Sequence, residues 1–241
     1  MGAVDEGTEE PAAAVGEADL ILLAAPVGAI LDLLPRLKEV IRPGSLITDV
    51  GSTKRLICQR AGEIFGDDPL FLGGHPLTGK EHSGLENAEA TLYEGTRYVL
   101  TPLRPEHAND PRARAFSSLL QTIGARPYWS DASDHDRAVA FLSHLPQLLS
   151  SSLASLVSEE NLEQKLPLEL AASGFRDMTR LAESPYSVWR DICLTNIENI
   201  HRALEAMIDK LDSMKMHLSD RGLEREFGRA AQLRDKLHRT D

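Results

Sequence analysis

The chain has 241 residues, room for one large domain or two smaller ones, and a hydrophobic content of 42% is enough to build a packed core. Its formal net charge of −11 argues against a nucleic-acid binder, which needs a basic surface, but leaves open an anionic small molecule held by local arginines. Cys58 and Cys193 stand far apart and outside any metal-ligand pattern, which reads as idle thiols in a reducing compartment, with no metal expected.

The acidic opening "MGAVDEGTEEP" is neither a signal nor a transit peptide in character. The longest apolar run, 20–34, is too short for a membrane span and is interrupted by Pro26, Gly28 and Asp32, so a cytoplasmic protein is expected. Residues 18–26 read as a buried strand ending at Pro26. Residues 27–41 read as a helix with Ile30, Leu33, Leu34, Leu37 and Ile41 on one face, weakened by Pro35. A turn and a second strand, Leu46 to Val50, follow within 42–52, then a helix over 53–65. "LFLGGHP" (70–76) and "TRYVLTP" (96–102) predict a third and a fourth strand. Strands alternating with helices imply a parallel α/β sheet covered on both faces.

After "GARPYWS" (124–130) the pattern turns helical. Residues 133–160 open on an N-cap at Ser133 or Asp134 and carry Pro146, which predicts a kink. Residues 184–218 read as one long helix with Val188, Ile192, Ile200, Leu204, Ile208 and Leu211 on a single stripe, and 223–238 as a last helix. The expected division is an α/β domain at 1–130 and a helical domain at 131–241, with the long stripe buried by dimerisation.

In open α/β sheets ligands bind beyond the C-terminal strand ends. Three turns fall at such ends, "AAPVG" (24–28), "DVGSTK" (49–54) and "GGHPLTG" (73–79). Gly51, Gly73 and Gly74 would let backbone approach a ligand, and Ser52 and His75 would project into one crevice as a hydroxyl beside an imidazole able to relay a proton. Ordinary loop chemistry explains any single turn as well. His144 reads either as a core residue or as a pocket residue. Arg176, Arg180 and Arg190, clustered in 174–191, suit either carboxylate recognition or ion pairs with Asp177, Glu183 and Asp191. No Ser-His-Asp order, nucleophile elbow or carboxylate pair stands out.

Taken together, "ADLILLAAPV", "ITDVGSTK", "GGHPLTGKEHSG", "FLSHLPQLL" and "GFRDMTRLAESPYSVWRDI" resemble, in order and spacing, the prephenate/arogenate dehydrogenase family over essentially the whole chain. The resemblance implies a partial Rossmann-like parallel sheet followed by an all-helical dimerisation domain, and a homodimer. It implies oxidative decarboxylation of prephenate or arogenate with hydride transfer to NAD or NADP, in tyrosine biosynthesis. His75 would polarise the ring hydroxyl as catalytic base. Ser52 would link that imidazole, the hydroxyl and the nicotinamide. Arg180 would hold a substrate carboxylate, with His144, Arg176 and Trp189 in the same pocket and Gly79, Lys80 and Glu81 on the loop beside it. Ala25, Pro26, Val27, Gly51 and Ser52 would face the cofactor.

The departures from the family pattern are specific. Gln147 stands where many relatives have a second histidine, and Thr78 and Lys80 stand where they often have Ala and Ser or Thr. Lys80 would either meet a substrate carboxylate or simply be solvated, and Glu81 would meet the ammonium of arogenate, so the choice between the two substrates stays open. Nothing matches the expected first strand and G-x-G-x-x-G turn, so the chain reads as lacking the first βαβ unit: a fragment, a misassigned start or a degenerate copy. The residue that would separate NAD from NADP is therefore not legible, and no appended regulatory domain is expected after Asp241. The alternative is a non-catalytic homologue, a helical dimer retaining a carboxylate-binding pocket. The "GFRDMTR" run argues against a different dehydrogenase on the same plan.

Overall fold

A computed structural model of the chain describes residues 4–79, 87–164 (backbone only at 162–164) and 166–238. The chain divides into two compact units, Met1–Ile197 and Glu198–Asp241. The first is built on a five-stranded sheet of β1 (Leu20–Leu23), β2 (Leu46–Asp49), β3 (Leu70–Pro76), β4 (Arg97–Pro102) and β5 (Arg126–Trp129), in the spatial order 1-2-3-4-5. The pairs β1–β2, β2–β3 and β4–β5 are parallel, and β3–β4 is antiparallel. The sheet is thus parallel-dominated and Rossmann-like, with one reversal. Helix crossovers link the parallel pairs: α2 (Val27–Leu37), α3 (Arg55–Phe65) and α4 (Pro111–Thr122).

The central strands are apolar on both faces because both faces are covered. On one face Ile21, Leu23, Ile47 and Phe71 pack against the apolar stripes of α2 and α3, including Ile30, Leu34, Ile57 and Ala61. On the other, Leu46, Leu70, Leu72, Tyr98 and Leu100 pack against Ala113, Phe116 and Leu120 of α4. Pro35 is accommodated inside α2, and α3 ends at Gly66, whose φ of +66° suits the residue without a Cβ. A short helix, α1 (Pro11–Val15), precedes β1.

The helical segments begin with α5 (Ala132–Val139), capped by the side chain of Asp131, which accepts from the backbone N–H of Ser133 and Asp134; the cap therefore lies just ahead of the expected one. A π-helical turn, Ala140–His144, joins α5 to α6 (Leu145–Gln164). This is the expected break around Pro146, which has no N–H and crowds the carbonyl a turn earlier. Next come α7 (Ser173–Thr179), a 3-10 turn at Arg180–Glu183 and α8 (Tyr186–Thr195). The single long helix expected over 184–218 is two: α8 stops at Asn196 and α9 (Ile197–Met216) begins anew. The continuous stripe is broken accordingly, with Ile192 and Ile200 buried but Val188, Ile208 and Leu211 exposed. In the second unit α9 is tied to α10 (Gly222–His238) by Lys210 Nζ and Glu226 Oε2 at 2.9 Å. Among the described residues no helix is long and apolar enough to cross a membrane.

Candidate active site

Because β1, β2 and β3 run parallel, the turns that leave them lie on one sheet edge. A cavity of about 1000 Å³ opens there, walled by the ends of β3, β4 and β5, by α5 and its π-helical turn, and by α8. That volume suits a small organic ligand. Five of the residues expected from the sequence line it together: Ser52, His75, Gly79, His144 and Trp189. His75 is the cross-strand partner of Val99, and Val99 of Tyr128, so these three side chains form one row on the cavity face of the sheet.

His75 is held from behind. Its Nδ1 lies 2.8 Å from Nε2 of His135, the two rings meeting edge to face at 5.0 Å between centroids. His135 Nδ1 in turn lies 2.8 Å from Oδ1 of Asp136. Asp136 is buried and also accepts the backbone N–H of Lys54 at 2.7 Å and of Arg55 at 3.0 Å, which fixes it at the start of α3. Desolvation, followed by the neighbouring His135, Lys54 and His144, holds His75 well below its ordinary value of 6.5. The imidazole is therefore neutral at neutral pH and able to take a proton. Among the described residues its Nε2 has no hydrogen-bond partner.

His144 is buried at 1% exposure on the opposite wall. Burial pushes it down to about 4, against the opposing pull of Asp136. Its Nδ1 lies 3.3 Å from the Asn196 side-chain amide, whose nitrogen also donates to the Asp136 carbonyl at 2.8 Å, and its ring packs edge to face on Trp189 at 5.9 Å. The break at Asn196 between α8 and α9 thus serves the site: it turns the Asn196 amide inward to both groups. Nearby, Gln147 donates its amide to Leu181 O at 2.7 Å and to Ser151 Oγ at 3.2 Å.

The expected glycines are places of close approach. A Cβ on Gly74 would lie 2.4 Å from the backbone oxygen of Asp49, and one on Gly73 would lie 2.2 Å from Thr101 Oγ1. Gly51 is buried, and a Cβ there would meet Asp49 and Ile57 at 2.9 Å. The close approach seen here is between protein segments. It seats a fully buried ion pair, Asp49 with Lys54, in which Asp49 also accepts from Gly51 N at 2.8 Å and Gly74 N at 3.0 Å. With its remaining lone pairs occupied, the pair stiffens the β2–α3 turn on which Ser52 sits.

Other expected residues fall outside the cavity wall. Ala25, Pro26 and Val27 form the turn from β1 into α2 on the same sheet edge, where one free N–H of the helix start, that of Gly28, is taken by Asp191 Oδ2 at 2.9 Å. Arg176 is exposed on α7. Arg180 is exposed at the rim, next to Leu181, which does line the cavity. Arg190 pairs with Asp191 at 3.0 Å, the ion-pair alternative. Lys80 and Glu81 lie outside the described residues. Sequence reasoning does not single out His135, Asp136, Asn196 or Arg97. The first two fall in what reads only as a helix start, although an adjacent His-Asp pair in a first turn is itself a signal. Arg97, at the start of β4, lines the cavity and makes no ion pair among the described residues.

The comparisons with known proteins bear on the family and the fold. Residues 1–129 match the family model "Prephenate dehydrogenase, nucleotide-binding domain", and residues 131–233 match "Prephenate dehydrogenase, dimerization domain". Prephenate dehydrogenase of Lactococcus lactis is 35% identical over 210 residues, covering 86% of this chain and 55% of the relative. That of Bacillus subtilis is 31% identical over 241 residues, covering 98% and 64%. The chain thus spans little more than half to under two thirds of the length of these curated relatives. The solved structure of prephenate dehydrogenase from Aquifex aeolicus in complex with hydroxyphenyl propionate and NAD+ superposes with a TM-score of 0.82 at 27% identity, covering 99% of this chain and 82% of that one. With both halves of the chain matched, and its fold shared, the chain belongs to the prephenate dehydrogenase family.

Proposed function

We propose that this chain carries the catalytic pocket of a dehydrogenase that oxidatively decarboxylates prephenate or arogenate in tyrosine biosynthesis, using NAD or NADP. The observation that carries the reading is His75: a neutral imidazole whose Nε2 has no partner among the described residues, on the wall of a cavity that also holds Ser52, His144 and Trp189.

The cavity fits the flat, weakly polar end of a nicotinamide cofactor, because Pro76, Val99, Val188 and Ile192 form an apolar wall beside the Ser52 hydroxyl. Ser52, with the neighbouring turns at Ala25–Val27 and Gly51, would hold that end. The cofactor, when bound, supplies the acceptor for the hydride. An anion at the N-terminus of α2 would share it with the Asp191 carboxylate, which already takes the Gly28 N–H.

For the substrate, His75 accepts a hydrogen bond from the ring hydroxyl and draws its proton as the C–H electron pair leaves that carbon. The electron pair of the breaking bond to the ring carboxylate enters the ring, carbon dioxide departs, and the proton returns from His75 to the phenolic oxygen. No net proton is released, and aromatisation drives the step, so the residues act mainly by orientation. Trp189 and Leu142 enclose the ring and His144 donates to it from the opposite wall. Arg97 on the wall and Arg180 at the rim are the guanidinium groups assigned to the carboxylates. Domain roles follow the same reading: 1–130 for nucleotide binding and 131–241 for substrate and a cytoplasmic homodimer, supported by exposed Ile208, Phe227 and Leu233 in the second unit.

Turnover is tested by incubating the protein with prephenate or arogenate and NAD+ or NADP+ in the four combinations, following reduced nicotinamide and the aromatic product. Product formation in at least one combination is expected. Binding of the aromatic product with no turnover in any combination would favour the non-catalytic homologue.

A further inference from the structure

Asp136 touches neither the cavity nor, on the proposed reading, any substrate atom, yet through its neighbours it is tied to His75 and His144, two of the three histidines on the cavity wall. One tie is its side chain, through His135 to His75. The other is its backbone carbonyl, through the Asn196 amide to His144. The donors and acceptors along each path can be followed to the end.

On the first path, the Asp136 carboxylate is an acceptor, already receiving two backbone N–H groups. It therefore takes the Nδ1–H of His135. With its proton committed to Asp136, the His135 ring presents a bare Nε2, which accepts from Nδ1–H of His75 at 2.8 Å. A neutral His75 that carries its proton on Nδ1 has a lone pair on Nε2. On the second path, the Asp136 carbonyl can only accept, so it fixes which end of the Asn196 amide is the nitrogen. The other amide proton points to Nδ1 of His144 at 3.3 Å. Nδ1 of His144 is then an acceptor, and its proton sits on Nε2. Neither Nε2 has a partner among the described residues.

We infer that Asp136 is a positioning residue that sets opposite tautomers on two of the cavity histidines: His75 as an Nε2 acceptor and His144 as an Nε2–H donor. This rests on the proposed reaction only for its purpose. An acceptor is needed at the ring hydroxyl, and a neutral donor suits a carbonyl or carboxylate oxygen on the other wall without adding a charge to a buried site. When His75 takes a proton, the Asp136 carboxylate stabilises the cation through the intervening His135, as a buried carboxylate behind a catalytic imidazole does in hydrolytic triads. The carboxylate is in turn fixed by the backbone of α3, so the path has little freedom to reorganise.

The test is a nitrogen-15 spectrum of the histidine side chains in the full chain at neutral pH, with peaks assigned by their loss in His75→Asn and His144→Asn. The expected pattern is a protonated Nδ1 and bare Nε2 for His75, and the reverse for His144. In His135→Phe, His75 should shift to the Nε2–H form, whereas His135→Gln, whose side-chain oxygen can still accept from Nδ1–H, should retain the parent pattern. Asn196→Ala should release the His144 assignment while leaving His75 unchanged. Where turnover is measured, kcat should fall at least about tenfold in His135→Phe with little change in product binding, and recover in His135→Gln. An Nε2–H signal on His75 in the parent chain would overturn the inference. So would His135→Phe and His135→Gln giving the same His75 tautomer. The spectrum is read without catalysis, so failure of this inference is distinguishable from failure of the proposed reaction.

Discussion

Acidification should destabilise the fold through His144, by an amount the site geometry sets. The buried ring is held at about 4 against an ordinary value of 6.5, first by burial. Between those two values the unfolded chain binds a proton that the folded chain refuses, so stability falls as the pH falls. The contribution is intact above about pH 6.5. It is reduced by about 2 kcal/mol at pH 5 and by about 3 kcal/mol at pH 4, since each pH unit between the two values is worth about 1.36 kcal/mol. His75 adds a loss of the same sign, so the parent chain alone does not isolate the effect. His144→Asn does: its side-chain oxygen can stand in for Nδ1 as the acceptor from Asn196, but it does not titrate. Urea unfolding followed by circular dichroism at pH 7 and pH 5 should show the variant losing about 2 kcal/mol less than the parent over that interval. A difference below about 0.5 kcal/mol would refute the reasoning, because it would mean that His144 accepts its proton as readily in the folded chain as in the unfolded one.

Gly74→Ala should cost about 1–3 kcal/mol or more in urea unfolding, since its Cβ would meet the Asp49 backbone oxygen at 2.4 Å; a neutral substitution would contradict the close approach. Arg180→Ala should raise KM with little change in kcat, by the roughly 1.5–3 kcal/mol of a charge-assisted hydrogen bond, and an unchanged KM would leave Arg180 a structural rim residue. Sedimentation at micromolar concentration should show a dimer, and a monomer would remove the homodimer from the account.

The β/α alternation is legible because buried strands and amphipathic helices impose distinct apolar periods. β3 is an apolar run, Leu70–Gly74, followed by His75 and closed by proline, and its span, Leu70–Pro76, matches the reading of "LFLGGHP". Strand direction is not a local property, and the reversal at β4 leaves no mark in "TRYVLTP". β5 escapes a sequence reading because "RPYW" alternates exposed and half-buried positions at a sheet edge and contains proline. The break in the long helix expected over 184–218 is hidden because it involves neither glycine nor proline. The side chain of Asn196 is drawn inward by Asp136 and His144, and those partners lie some fifty to sixty positions away in sequence. The same distance hides the support behind His75. Ser52, His75, His144 and Trp189 can be named from sequence because their flanking motifs are distinctive. His135 and Asp136 become intelligible only once α5 packs over the ends of β3 and α3. The glycines are recognisable as sites of close approach, and the segments that approach them, Asp49 at Gly51 and Gly74 and Thr101 at Gly73, are fixed only by the fold.

The most direct test of the central claim is a pair of constants for His75→Asn: kcat with the preferred substrate and cofactor, and Kd for the aromatic product. A base acts in the transition state, so kcat should fall about 10²–10⁴-fold while product affinity changes little. A variant that retains more than about a tenth of the parent kcat would contradict the assignment of His75 as the base on which the account rests.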